Sequence, residues 1–230
     1  MFTLVDNKPE ISALVAAYNE ERTIGGVMQQ LLDTGLFAEI IVVDDGSTDA
    51  TGIIADRYAK YECVRIIHMP GNMGKGACIA RGIEAVSTDY VAFQDADTEY
   101  SVINMHRLSR ECCDGTDMVV GVRAMHPVEI FRMSWGSFIA NKIYKGLTNI
   151  PDVFSGQRIV RTAWVRSINL KSKGFEIETE LTVKALKTGA RLKFVPIMYS
   201  PRKVGKKIGA RDFIKISRAY ISLKLSRQAG

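Results

Sequence analysis

The sequence predicts an α/β fold with a mainly parallel central sheet flanked by helices, and three observations carry that expectation. From Ile11 onward, short apolar runs alternate with longer amphipathic ones, as strands and helices do in a parallel sheet. Acidic or glycine-rich turns follow several of those runs, at the strand ends where ligands bind in such sheets. The 230 residues, 47% of them hydrophobic, suffice for the core of one domain.

Ile11 to Ala17 reads as the first strand, and Asn19 is placed to cap a helix with Glu20 and Glu21 in its first turn, where carboxylates favour the positive helix end. Glu39 to Val43 is the second strand. Asp44-Asp45-Gly46-Ser47-Thr48-Asp49 is a turn that leads into a helix from about Ala50 to Lys60, with Asp49 available as its cap. Val64 to Met69 is the third strand, the loop Gly71 to Gly76 opens a helix to about Val86, and Tyr90 to Gln94 is the fourth strand. Beyond Asp97 the pattern is less regular. Strands are expected at Met118 to Val122 and Arg191 to Pro196, and helices at Val128 to Leu147 and Phe175 to Thr188. No repeat or linker-like stretch divides the chain, so residues 1–210 read as one domain with halves at about 10–100 and 101–210, and 211–230 read as a C-terminal helix.

Composition excludes several classes. Cys63, Cys78, Cys112 and Cys113 have no C-x-x-C spacing and only three histidines for company, which argues against a zinc site or a disulfide framework. No apolar run approaches the length of a membrane span, and Met1 to Lys8 lacks a signal-peptide layout, so a cytoplasmic location is expected. The net charge of +6 is concentrated at the C-terminal end, where Arg202, Lys203, Lys206, Lys207, Arg211, Lys215, Arg218, Lys224 and Arg227 face a single acid, Asp212. Read as a helix from Arg211, the segment places Phe213, Ile216, Tyr220 and Leu223 at helical spacing beside a cationic face. Such a helix fits either the anionic cytoplasmic surface of a membrane or packing on the core or a partner. No interleaving of aromatics with basic residues marks a nucleic-acid surface.

The chemistry-bearing residues gather at strand ends. Asp95 and Asp97 follow the fourth strand at i and i+2, so their carboxylates point the same way, and Glu99 continues the spacing. Three carboxylates so placed call for Mg²⁺ or Mn²⁺; the bland alternative is a solvated acidic turn. Asp44 and Asp45 stand where acidic residues accept hydrogen bonds from ribose hydroxyls or a base N–H. The loop Gly71-Asn72-Met73-Gly74-Lys75-Gly76 fails as a Walker loop, because its glycines are too close and Gly76 stands where Ser or Thr should bind Mg²⁺.

Together the segments Ala16 to Glu21, Val42 to Asp49, Asn72 to Gly76 and Gln94 to Asp97 resemble inverting family 2 glycosyltransferases of the GT-A fold. Gly121 to Arg123, Asp152 to Arg158, Phe175 to Glu180 and Pro201 to Lys207 are similar to the dolichyl-phosphate mannose synthase branch, so the likeness runs over about residues 10–210. The resemblance implies a metal-dependent hexosyltransferase that uses GDP-mannose or a UDP-hexose, with a polyprenyl phosphate as acceptor. It implies that 1–210 is a single catalytic domain with a donor-binding half at about 10–100 and an acceptor-binding half at 101–210, and a donor site of Ala16, Tyr18, Glu20, Asp44, Asp45, Lys75, Asp95 and Ala96, with the metal on Asp95, Asp97 and Glu99. Arg123, Ser155, Arg158, Arg202 and Lys207 would meet the acceptor phosphate, and Asp97, Asp152, Arg123 and Arg202 would carry catalysis. The chain departs from the family pattern in having Ala16 for a usual proline, Glu99 where relatives often have Gln, and a slightly shorter Arg202 to Lys207 segment.

A phosphate acceptor is already ionised, with a second pKa of ~6, and needs no general base. A hydroxyl acceptor would need one, and Asp152 or Glu178 are the candidates. Many relatives continue into membrane spans; here the terminal helix could serve as a peripheral anchor, or a membrane-spanning partner subunit could supply the membrane part. The non-enzyme alternative is a sugar-nucleotide-binding protein at the membrane surface.

Overall fold

The computed structural model describes residues 8–113, 115–124 and 150–200. Among these the strands are β1 (Ile11–Ala17), β2 (Glu39–Asp44), β3 (Val64–His68), β4 (Tyr90–Asp95), β5 (Met118–Ala124), β6 (Arg158–Arg161) and β7 (Leu192–Met198). The helices are α1 (Ile24–Asp33), α2 (Thr51–Asp56), α3 (Lys75–Ala85), α4 (Asn104–Ser109), α5 (Thr162–Ser167) and α6 (Ile177–Thr188). The expected helix at 128–147, the helix at 211–230, Arg202 and Lys207 lie outside the described residues.

One sheet runs in the order β3-β2-β1-β4-β6-β5-β7. β1 pairs in parallel with β2 and β4, β2 with β3, and β5 with β7; β6 is antiparallel to both β4 and β5. The mainly parallel expectation therefore holds, with β6 as the exception. Its short run Arg-Ile-Val-Arg carries too little periodicity to announce a strand.

Alternation along the strands separates two helical layers. On β1, Leu14 faces Cys78, Ile79 and Ile83 of α3 and Ile177 and Leu181 of α6, while Ala13 and Val15 face Val27, Met28 and Leu31 of α1. Burying each such Leu, Ile or Met contributes about 1.5–3 kcal/mol relative to exposure. A third cluster, with Tyr90, Ala92, Met105, Leu108 and Ile159, seats α4 against the antiparallel part of the sheet. Gly82 lets α3 approach closely, since a Cβ there would collide with the Leu14 side chain.

The order in which strands are added reverses at β1, while β1 and β4 stay parallel: β2 and β3 build outward on one side of β1 and β4 lies on the other. Such a switch point opens a crevice at the strand C-termini, and ligands bind there in open α/β sheets. In register, Ala16 lies opposite Asp95 and Ala17 opposite Asp44, so three of the predicted donor-site positions meet at this edge.

The N-terminus of α1 corrects one expectation. Asn19 does not cap a helix; it has φ 51, and its side-chain oxygen accepts from the Thr48 backbone N–H at 2.8 Å, which ties the 46–49 turn to β1. The left-handed conformation is one that Asn tolerates through local hydrogen bonds. A turn over 20–23 follows, and α1 begins at Ile24. Asp49 does serve α2 as expected, accepting from the Thr51 N–H at 2.9 Å.

Candidate active site

The glycine loop, the end of β4 and the start of α6 are joined by one ammonium group. Lys75 Nζ lies 2.6 Å from Asp95 Oδ1 and 2.7 Å from Glu178 Oε1, and the three side chains are only 14%, 21% and 10% exposed. Burial would lower the Lys75 pKa, but the two carboxylates outweigh it and hold the group well above the usual lysine range. The backbone closes on this trio. A Cβ on Gly156 would stand 2.8 Å from Asp95 Oδ2 and 3.2 Å from Lys75 Nζ, so only glycine leaves room for the pair.

The loop itself is pinned from two directions. Asp45 accepts from the backbone N–H groups of Met73 at 2.7 Å and Gly74 at 2.8 Å. On the other side Gly74 and Gly76 abut the backbone of Ser172 and Lys173, which Glu180 holds by accepting from the N–H of Lys171 and Ser172. Gly74 sits at φ 97, open to glycine at little cost. Asp44 accepts from the Ser47 N–H at 3.2 Å and lies 3.1 Å from His68 Nδ1. Both residues of the Asp-Asp pair therefore shape the loops around the crevice. Glu20, also buried, is fixed through its N–H to Thr51 Oγ1 and through Thr23 Oγ1, which donates to its carboxylate. Tyr18 is half-buried just past β1. Ala96 is core, packed beneath the crevice, while Ala16 is half-buried on the opposite face.

A second ion pair lies across the crevice. Arg123 on β5 meets Asp152 side-on, with Nε 2.7 Å from Oδ2 and Nη2 2.8 Å from Oδ1. Burial works against the Arg123 charge, but Tyr100 and Asp152 more than compensate and raise its pKa. The guanidinium also covers the Tyr199 ring at 5.2 Å, and the Tyr199 hydroxyl donates to Glu99 Oε2 at 2.9 Å. Tyr100, stacked obliquely on Tyr199, accepts from the Gly156 N–H, and its own hydroxyl is pushed up to about 12 by burial. Beneath them Asn104, Gln157 and Gln94 hydrogen-bond in a buried chain that holds the 155–157 loop against β4.

Three predicted placements differ in the structure. Arg158, expected at an acceptor phosphate, is 0% exposed and donates to the carbonyls of Ser155 and Val153 and to Thr182 Oγ1, so it acts as an internal strut for the loop. Ser155 is also fully buried, and its hydroxyl has no hydrogen-bond partner among the described residues. The three-carboxylate metal cluster is not assembled either: among the described residues no three His, Cys, Asp or Glu side chains converge to hold an ion. Asp95 is matched by Lys75 and Glu99 by Tyr199, and Asp97 is half-buried with Oδ1 accepting from the Glu99 N–H. That donor set still suits a hard cation that takes one or two carboxylates and completes its shell with substrate phosphates and water. Glu178 as partner of Lys75, and Tyr199, Gly156 and His68 as site residues, were not legible from the motifs.

A model of the family described as "Glycosyl transferase family 2" matches residues 12–168, which span β1 to β6 and the crevice residues up to Arg158 but not Glu178 or Tyr199. The chain belongs to that family. Glycosyltransferase AglJ of Haloferax volcanii is 30% identical over 201 residues, 85% of this chain; the match spans 64% of that relative's length. The undecaprenyl-phosphate mannosyltransferase of Micrococcus luteus is 28% identical over 85% of this chain and 86% of its own. Among solved structures, glucosyl-3-phosphoglycerate synthase from Mycobacterium tuberculosis, described in complex with Mn²⁺, UDP and phosphoglyceric acid, superposes with a TM-score of 0.71. It covers 95% of this chain and 78% of its own at 23% identity, a likeness of fold. The GT-A fold and the family thus agree with the architecture. Among the described residues no helix is long and apolar enough to cross a membrane.

Proposed function

We propose that this family 2 glycosyltransferase moves a hexose from a nucleotide diphosphate-sugar to a polyprenyl phosphate, with inversion at the anomeric carbon. One observation carries the choice of acceptor. Both carboxylates that could deprotonate a hydroxyl are held by cations, Asp152 by the bidentate Arg123 and Glu178 by Lys75. A carboxylate that already accepts from a guanidinium or ammonium is poorly placed to take a proton, and an ionised phosphate oxygen needs none taken. The relatives named for undecaprenyl-phosphate and polyprenol-phosphate mannosyl transfer support the same reading.

In this account the crevice between β1 and β4 receives the donor, with Tyr18, Glu20, Asp44 and Asp45 around the nucleoside and Asp95 beside it. The Gly156 backbone and the Lys75–Asp95 pair fix the wall along the diphosphate. Asp97 would hold a divalent cation, Mg²⁺ or Mn²⁺, which supplies charge neutralisation to the leaving diphosphate. Arg123 keeps its Nε–Nη2 edge on Asp152, and in this reading its positive charge would serve the acceptor phosphate. The acceptor phosphate oxygen attacks the anomeric carbon from the face opposite the departing diphosphate, so one C–O bond forms as the other breaks. Positioning and fixed positive charge do most of the work, as they do in enzymatic phosphoryl transfer. A polyprenyl acceptor brings the reaction to a membrane surface, and the basic, apolar 211–230 segment is our assignment for that contact.

Thermal shift with GDP-mannose, UDP-glucose, UDP-N-acetylglucosamine and UDP-galactose in the presence of Mg²⁺ or Mn²⁺ tests the donor half, because a ligand specific to the native state raises its stability. One base should stabilise the chain, and that donor should label a polyprenyl phosphate. Stabilisation by a donor with transfer to no polyprenyl phosphate would overturn the acceptor assignment.

A further inference from the structure

His68, the last residue of β3, stands between two carboxylates. Nδ1 is 3.1 Å from Asp44 Oδ2 and Nε2 is 3.0 Å from Asp56 Oδ1, the last residue of α2. Asp44 is 6% exposed at its side chain, whereas Asp56 and His68 are 56% and 47% exposed. The packing leaves this group no slack on the α2 side: a Cβ on Gly52 would lie 2.8 Å from Asp44 Oδ2 and 3.3 Å from His68 Cε1. A neutral imidazole carries one N–H and can serve one of the two carboxylates; only the imidazolium donates to both. The geometry is therefore complete in the charged form.

We propose that His68 is a positioning residue for donor binding: as imidazolium it orients Asp44 and offsets its charge at the nucleoside end of the crevice. The inference rests on the reading of Asp44 as part of the nucleoside pocket. Asp44 uses one oxygen on the Ser47 N–H and the other on His68, so its remaining lone pairs are fixed in direction before a ligand arrives. Loss of the proton leaves one of the two carboxylates without its donor and removes the positive charge that offsets Asp44 beside an anionic ligand. The groups facing His68 are Asp44 from β2 and Asp56 from α2, and both act in one direction. Hydrogen bonds to Asp44 and then Asp56 raise its pKa above the ordinary 6.5, against a smaller opposing effect of partial burial. The charged form is thus present below the raised pKa and is lost as pH rises through it, so nucleotide affinity should fall with rising pH.

The test is calorimetric titration of the full chain with UDP and GDP in excess Mg²⁺ across about pH 6 to 9, the range in which a histidine near its ordinary value or somewhat above it titrates. His68→Ala should weaken binding of the preferred nucleotide about threefold to tenfold at the acid end, the loss of one partly exposed charge-assisted hydrogen bond. It should also flatten the pH profile, and in turnover the loss should fall on KM for the donor. His68→Asn, whose amide can still donate to Asp44 without a charge, should recover affinity at low pH but not the pH dependence. A staple between β3 and α2 with no role in binding would change thermal stability and leave both readouts alone. Wild-type affinity and pH dependence in His68→Ala, alongside weakened binding in Asp44→Asn, would overturn the proposal and spare the nucleoside pocket. Unchanged binding in Asp44→Asn as well would overturn both.

Discussion

Removing one partner of the Arg123–Asp152 pair should cost far more than a surface ion pair does. Both side chains are under a tenth exposed, and the pair is bidentate, with Nε–Oδ2 at 2.7 Å and Nη2–Oδ1 at 2.8 Å. Exposed pairs are worth ~0–1 kcal/mol. A buried pair that loses one member leaves an uncompensated charge, at about 3–5 kcal/mol. Asp152→Ala also removes the acceptor for the Phe154 N–H, so the upper part of that range applies. In a domain of this size a loss of ~3 kcal/mol lowers Tm by about 6–12 °C. The same logic makes the two positions non-additive. Arg123→Met and Asp152→Ala should each destabilise strongly, and the double variant should recover up to about 3 kcal/mol of coupling. Urea denaturation followed by circular dichroism on the four members of the cycle measures this. Single losses below ~1 kcal/mol, or additivity within about 0.5 kcal/mol, would refute the claim that Asp152 is committed to holding Arg123.

Gly156→Ala places a methyl 2.8 Å from Asp95 Oδ2 and 3.2 Å from Lys75 Nζ; steady-state kinetics should show kcat/KM falling about tenfold to a hundredfold, as small displacements of positioning groups do. Glu180 makes stability acid-sensitive. Burial raises its pKa, but hydrogen bonds from Ser172 and Lys184 with the Ser172 and Lys171 N–H groups outweigh that and hold it below 4.5. Its contribution is therefore present above pH 4.5 and lost as pH falls through the lower folded value. Stability measured between pH 3 and 7 should fall less steeply toward acid in Glu180→Gln than in the parent chain, roughly by the proton uptake of one group.

The first half of the fold was readable because each strand is a continuous apolar run closed by a turn with its own chemistry. Ile11 to Ala17, Glu39 to Val43 and Tyr90 to Gln94 lie within one residue of the observed strands. The second half hid more, for a physical reason. β6 has four residues, two of them arginines, and owes its place to pairing with β4 and β5 far away in sequence. α4 and α5, with six residues each, are too short to show a helical period. For the site, the motifs located Asp44, Asp45, Asp95 and Asp97 at strand ends, yet could not say what each carboxylate faces. That depends on tertiary partners: Lys75 reaching across to Glu178, Tyr199 returning to Glu99, and Arg158 turning inward to the 153–155 carbonyls. The resemblance marked Arg158 as a phosphate ligand, while complete burial makes it a strut.

Transfer to one prenyl chain in two forms, farnesyl phosphate and farnesol, compared at equal concentration with the donor that stabilises the full chain, tests the central claim most directly. With Asp152 and Glu178 occupied by cations, the phosphate should be glycosylated and the alcohol should react at least about a hundredfold more slowly, the contribution of a missing general base. Comparable rates for the two acceptors would contradict the account, because they would require a proton acceptor that the paired carboxylates do not supply.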